Sequence, residues 1–263
     1  MEYKYKIGFL GSGNMAKAIA LGIIDSKILN SNQIIMSATS KKEPFLGISI
    51  TDDNNIVIEN SEYLVIAVKP QIFNQIKDTL KNSKAKYIIS IMAGVKSDKL
   101  KQIFPSSEVI RTMPNTPCAI KNGMVAVSNN NAGLEANEFI TKVFSSIAEV
   151  EYLDEDKFDA VTSISGSGPA YVYYFIQSMI KAGINGGLDY KTAKKLTLQT
   201  VFGATKMVEN SIEDLDILIE KVCSKGGTTI QAIDAFKDNK IQESIIEGID
   251  KCRKRSEELS KWN

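Results

Sequence analysis

The residues best placed to do chemistry lie at two glycine-rich turns near opposite ends of the chain. The first is Gly11-Ser12-Gly13-Asn14-Met15-Ala16, which follows a short apolar run and opens a segment with helical spacing. In a strand-turn-helix setting, Gly11 permits the tight turn and Gly13 lets the backbone approach a pyrophosphate. Ala16 lets helix and strand pack closely, and the free N–H groups at the helix start face the phosphates. This turn predicts that the chain holds a dinucleotide. The second turn is Ser224-Lys225-Gly226-Gly227-Thr228-Thr229. Two glycines ahead of a helix expose several backbone N–H groups in a concave turn suited to a carboxylate, and the two threonine hydroxyls add donors and acceptors. A Gly-Gly helix stop followed by a threonine cap accounts for the same spacing, so both readings stand at this point.

The chain contains no histidine. That removes the usual neutral-pH proton carrier, and with it Ser-His-Asp and Cys-His nucleophile arrangements and histidine-rich zinc sites. Cys118, Cys223 and Cys252 are odd in number and lack metal-ligand spacing, which fits reduced thiols and no metal site. Chemistry in which a cofactor performs the hard step remains, and hydride transfer fits.

The end of the second strand bears on which nicotinamide cofactor is used. Residues 34–37 run into Ala38-Thr39-Ser40-Lys41-Lys42, with no acid before Glu43. An NAD site places Asp or Glu here for the ribose 2′-hydroxyl, whereas a 2′-phosphate prefers hydroxyls and cations. Thr39, Ser40 and Lys41 therefore point to NADPH, with NADH as the alternative. Lys69 stands at the end of another strand, where such sheets bind ligands. It is read as shaping the turn with Pro70, not as a catalytic lysine.

These residues need a frame to position them. To about residue 153 apolar strand candidates (34–36, 63–67, 87–91, 109–110, 124–127 and 150–153) alternate with helical stretches such as 72–80, 96–104 and 134–144. That alternation predicts a doubly wound parallel sheet of about six to eight strands. Beyond residue 160 the pattern is helical through 170–184, 190–209, 212–223, 230–236 and 241–259. The stretch 170–184 is apolar on nearly all sides, which predicts a helix buried all round, packed against the same helix of a second subunit. The expected organisation is α/β: a Rossmann domain over 1–160, then an all-helical dimerisation and substrate domain over 161–263.

With 263 residues and a formal net charge of +1, the chain has no basic excess for nucleic acid. No apolar run approaches the roughly 18 residues that cross a bilayer, so no membrane anchor or signal peptide is expected and the cytoplasm is the default address.

Taken together, the motifs Phe9-Leu-Gly-Ser-Gly-Asn-Met-Ala16, Ala67-Val68-Lys69-Pro70, Ser90-Ile-Met-Ala-Gly-Val95, Arg111-Thr-Met-Pro-Asn-Thr-Pro117, Ser165-Gly-Ser-Gly-Pro-Ala-Tyr171 and Ser224-Lys-Gly-Gly-Thr-Thr229 resemble the pyrroline-5-carboxylate reductase family, in that order and over nearly the whole chain. The resemblance implies NAD(P)H-dependent reduction of 1-pyrroline-5-carboxylate to L-proline, the last step of proline synthesis, by homodimers often assembled into larger rings. It implies that Gly11, Ser12, Gly13, Asn14 and Met15 form the pyrophosphate turn. Asn54 and Ala67, Val68, Lys69 and Pro70 would line the adenosine and ribose side, and Ala93, Gly94 and Met113-Pro114-Asn115 the nicotinamide. Backbone N–H groups of Gly226, Gly227, Thr228 and Thr229 would bind the substrate carboxylate, with Ser224 assisting and Thr229 reaching the ring nitrogen, the segment coming from the partner subunit. One departure is Lys225, which stands where the family commonly has proline. β-Hydroxyacid dehydrogenases share the two-domain layout but rely on a lysine of the helical domain, for which Lys181 could be nominated; the Gly-Gly-Thr-Thr turn argues against them. A non-enzymatic NADPH-sensing protein would have no reason to keep that turn.

Overall fold

The computed structural model describes residues 2–39 and 43–262. The chain divides into two compact units: one runs to Ser167 and takes in the chain from Cys252 onward, the other is Gly168–Lys251.

The first unit is built on a sheet of eight strands: β1 (Tyr5–Leu10), β2 (Ile34–Ser37), β3 (Ser49–Thr51), β4 (Ser61–Ile66), β5 (Tyr87–Ser90), β6 (Glu108–Pro114), β7 (Gly123–Ser128) and β8 (Ala148–Leu153). Their order across the sheet is β3-β2-β1-β4-β5-β6-β7-β8. Every pairing is parallel except β6 with β7. Helices α1 (Asn14–Asp25), α2 (Asn54–Asn60), α3 (Pro70–Leu80), α4 (Ser97–Ile103) and α5 (Leu134–Ser145) connect successive strands. Alternate residues of a strand face opposite sides, so Ile7, Phe9 and Val65 join one apolar cluster with Ile19, Ile23 and Phe144. Leu10, Leu64 and Ile66 join another with Val57, Phe73 and Leu100. Both faces are covered, which is why the central strands read as unbroken apolar runs.

The spacing does not reveal β3 or α2. β3 is three residues with only Ile50 buried, and α2 buries only Val57 and Ile58. Neither offers a periodic stretch long enough to read, and α2 is started by Asp53, whose carboxylate accepts the N–H of Asn55 at 2.9 Å. After β8 the chain passes through α6 (Phe158–Val161) and a π-helical segment, Thr162–Gly166.

The second unit is helical: α7 (Gly168–Asn185), α8 (Tyr190–Glu209), α9 (Leu215–Val222), α10 (Thr228–Asp238) and the first part of α11 (Ile241–Trp262), which ends in the first unit. Residues 212–214, expected in a helix, precede α9. α7 and α8 approach closely at Gly183, where a Cβ would stand 3.1 Å from that of Ala193. The expectation that residues 170–184 are buried all round does not hold within one chain. Only Ile180 of α7 is buried, while Tyr173, Tyr174 and Phe175 are 61%, 75% and 52% exposed. Among the described residues nothing covers this apolar face in a single copy, and α8 adds exposed Leu196, Phe202 and Met207.

Candidate active site

β2 lies on one side of β1 and β4 on the other, so the winding reverses between β1 and β4. Crevices of this kind, at the carboxyl ends of the strands, are where open α/β sheets bind ligands. Gly11 begins the turn there at φ +103°, and a Cβ on it would lie 2.7 Å from the Ala67 carbonyl oxygen. The turn is pinned on both sides: the Ala67 N–H donates to the Leu10 carbonyl at 2.9 Å, and the Gly11 N–H donates to Ser37 Oγ at 3.2 Å. Ser37, the buried last residue of β2, was not among the expected site residues; a polar residue ending an apolar strand is the signal that marks it. Gly13 is the N-cap of α1 and receives no side-chain cap, while a Cβ on it would meet nothing within 4 Å. A bare glycine beside uncapped helix N–H groups leaves room for a phosphate to reach the backbone. Ser12 and Met15 are half-buried and Asn14 is exposed, whereas Ala16 is buried against the sheet.

Asn54 opens α2 at the same carboxyl edge, beyond β3. Thr39 is exposed past β2; Ser40 and Lys41 lie outside the described residues. Ala67 and Val68 flank Gly11, and Lys69 is the N-cap of α3, its carbonyl accepting from Ile72 and Phe73 at 2.9 and 3.0 Å, with Pro70 first in the helix. That is the turn-forming role, with the Lys69 side chain exposed.

Farther along the edge, Ala93 is exposed and Gly94 adopts φ +71° in the turn after β5. Asn115 follows β6 and holds several segments together. Its Oδ1 accepts the Met124 N–H at 2.9 Å, and its Nδ2 donates to the Ser165 carbonyl at 3.3 Å. The π-helical segment is thereby tied to the end of β6. Gly166 belongs to the same joint, because a Cβ there would sit 2.3 Å from Met113 Cε. Cys118, beside Asn115, is 1% exposed and burial pushes its thiol pKa up, so it packs as a small apolar residue.

In the second unit the Ser224 carbonyl accepts the Gly227 N–H at 2.9 Å, with Gly226 between them at φ +73°. Lys225 is not at positive φ, and a β-turn with only its third residue left-handed is of type II, in which the second position, here Lys225, favours proline. Gly227 is the uncapped N-cap of α10, and a Cβ on it would stand 2.4 Å from Ser224 Oγ. The Gly227 N–H is spent on the turn, so the N–H groups that no side chain caps are those of the first turn of α10, from Thr228 onward. Lys181 is exposed on α7.

Comparison with known proteins bears on the fold and the family. Residues 155–259 match the pyrroline-5-carboxylate reductase dimerisation domain, and residues 6–94 match the family described as NADP oxidoreductase coenzyme F420-dependent. The chain is 35% identical to the pyrroline-5-carboxylate reductase of Escherichia coli over 97% of its own length and 98% of the relative's. With that of Arabidopsis thaliana it shares 33% over 97% and 96%. The crystal structure of Plasmodium falciparum pyrroline carboxylate reductase, with NADP bound, superposes with a TM-score of 0.88 at 28% identity, covering 99% of this chain and 100% of that one. Neither the β-hydroxyacid dehydrogenase reading nor the sensor reading is favoured by these relatives. A Rossmann sheet with its reversal at Gly11, a helical dimerisation domain carrying the second glycine turn, and relatives matched end to end place the chain in the pyrroline-5-carboxylate reductase family.

Proposed function

We propose that this enzyme, an NAD(P)H-dependent oxidoreductase, reduces the C=N bond of 1-pyrroline-5-carboxylate to L-proline, the last step of proline synthesis, at a site assembled from both glycine turns. The single observation that carries the reading is the pairing, in one chain, of a helix start with an uncapped glycine N-cap at the sheet reversal and a second such start at α10.

The residues present fit a dinucleotide. Gly11, Ser12, Gly13, Asn14 and Met15 would hold the pyrophosphate, with Thr39, Ser40 and Lys41 on the 2′-phosphate of NADPH. Asn54 and the stretch Ala67, Val68, Lys69 and Pro70 would line the adenosine and ribose side, and Ala93, Gly94 and Asn115 the nicotinamide. NADPH, when bound, supplies the hydride for the imine carbon.

The remaining work falls to α10. Its first N–H groups, with Gly226, Gly227 and Thr228 shaping the turn and Ser224 assisting, hold the substrate carboxylate. The Thr229 hydroxyl hydrogen-bonds the ring nitrogen and fixes the ring face. A protonated imine is electrophilic enough to need no strong general acid, so orientation carries much of the rate, and the absence of histidine is no handicap. The bare apolar face of α7 and α8 supports a homodimer; the family resemblance extends the proposal to one subunit's α10 serving its partner's Rossmann domain and to dimers assembled into larger rings. We take the functional division as 1–160 and 161–263 and the working compartment as the cytoplasm. Among the described residues no helix is long and apolar enough to cross a membrane.

The test is NADPH oxidation by the purified protein with 1-pyrroline-5-carboxylate, repeated with NADH and with a six-membered cyclic imino acid. Turnover with the five-membered imine and a higher kcat/KM for NADPH than for NADH are expected; no consumption with either cyclic imine overturns the reading.

A further inference from the structure

Arg111, in the middle of β6, is 2% exposed and is held by one carboxylate and one ring. Its Nη1 donates to Glu155 Oε1 at 3.2 Å, and its guanidinium lies 4.8 Å from the centre of the Phe158 ring. Its Nε and Nη2 have no hydrogen-bond partner among the described residues. An ion pair that buries an incompletely satisfied cation against a carboxylate still 29% exposed adds little to stability, since desolvation of the arginine offsets much of the attraction. Its use has to be sought in what it connects.

The same Glu155 Oε1 accepts the backbone N–H of Ser97 at 2.8 Å. Ser97 is the first residue of α4, three positions after Gly94, and Arg111 lies two positions before Met113. The loop from β5 to α4, which carries Ala93 and Gly94, is thus fixed at both ends to β6. At one end Ser90 pairs with Arg111, and the Thr112 hydroxyl donates to the Ser90 carbonyl at 3.1 Å; at the other, Ser97 reaches Arg111 through Glu155. Arg111 is itself anchored, its N–H donating to Ser128 Oγ at 2.9 Å.

We propose that Arg111 and Glu155 form a positioning clamp that sets the spacing between the Ala93-Gly94 turn and the Met113-Pro114-Asn115 segment, and so the placement of the nicotinamide ring during hydride transfer. The proposal rests on the assignment of those two segments to the nicotinamide under the function proposed above. The clamp touches neither cofactor nor substrate; it acts through the two loops.

Two variants test it. Ser97→Pro removes the N–H that Glu155 accepts, together with a hydroxyl that makes no hydrogen bond among those described. Proline suits the first position of a helix, and the preceding Lys96 is already extended at φ −79° and ψ 150°, so the fold is retained and no charge is left unpaired. Arg111→Met with Glu155→Gln removes the buried cation and its half-buried partner together, avoiding the orphaned cation that changing Glu155 alone would leave. The expected result in both is a fall of about tenfold in kcat for imine reduction, with affinity for 2′,5′-ADP, a probe of the adenosine end alone, within about twofold of the parent. The inference is overturned if both variants keep the parental kcat, or if 2′,5′-ADP binding falls in parallel with kcat, which would make the pair a general structural support. Failure of the parent enzyme itself to reduce the imine is a separate outcome: it removes the proposed function, and the inference with it.

Discussion

Under the proposed function, two single side chains, Thr229 and Lys225, bear on substrate binding. Thr229 is the one hydroxyl assigned to the substrate nitrogen, and a hydrogen bond that strengthens in the transition state is worth about one to two decades in rate, at roughly 1.4 kcal/mol per decade. Thr229→Ala should therefore lower kcat by about 10- to 100-fold without altering NADPH affinity, as steady-state kinetics alongside fluorescence titration of NADPH would show. Thr229→Ser should recover most of the loss, and an unchanged kcat in Thr229→Ala removes the residue from the chemistry. Lys225 occupies the second position of a turn whose third residue, Gly226, is left-handed. Lys225→Pro presets that corner and should stabilise the protein by about 0.4–1 kcal/mol, read as a higher denaturation midpoint. It also deletes a cation beside the proposed carboxylate site and should raise KM for the imino acid most at low ionic strength, where charges are least screened.

At the scale of elements, legibility follows how completely each segment's own residues decide its structure. The turn from β1 to α1 was readable because Gly11 must adopt a positive φ against the Ala67 carbonyl, a demand that only glycine meets cheaply. The central strands were readable because both their faces are buried, leaving uninterrupted apolar runs. β3 and the short α2 were not, since one and two buried residues carry no periodicity. The π-helical segment Thr162–Gly166 was equally hidden; it is defined by distant contacts, Asn115 to Ser165 and Gly166 under Met113, which no local pattern announces. Glu155 was hidden for the same reason, because its partners Ser97 and Arg111 are remote in sequence. The α10 turn falls between these cases. Its glycines read equally well as a helix stop, and its geometry alone leaves the uncapped N–H groups as the distinguishing feature.

On the scale of the whole molecule, the feature that needs a second copy is α7. A helix bearing Tyr173, Tyr174 and Phe175, all more than half exposed in one chain, is a poor surface for a monomer in water. Replacing Tyr174 and Phe175 together by Glu should convert the homodimer to monomer in sedimentation velocity. If α10 serves the partner's Rossmann domain, the monomer should lose at least about 100-fold in kcat/KM, more than a surface change within an independent subunit would cost. A fully active monomer would confine the site to one chain. The central claim, that the Gly11 turn presents a hydride donor and the α10 turn an imine, is tested most directly by following the hydride. Turnover of 1-pyrroline-5-carboxylate with NADPH deuterated at both C4 positions should yield L-proline carrying a single deuterium on Cδ, seen by mass spectrometry and NMR. Unlabelled proline, or consumption of the cofactor without any proline, would contradict it.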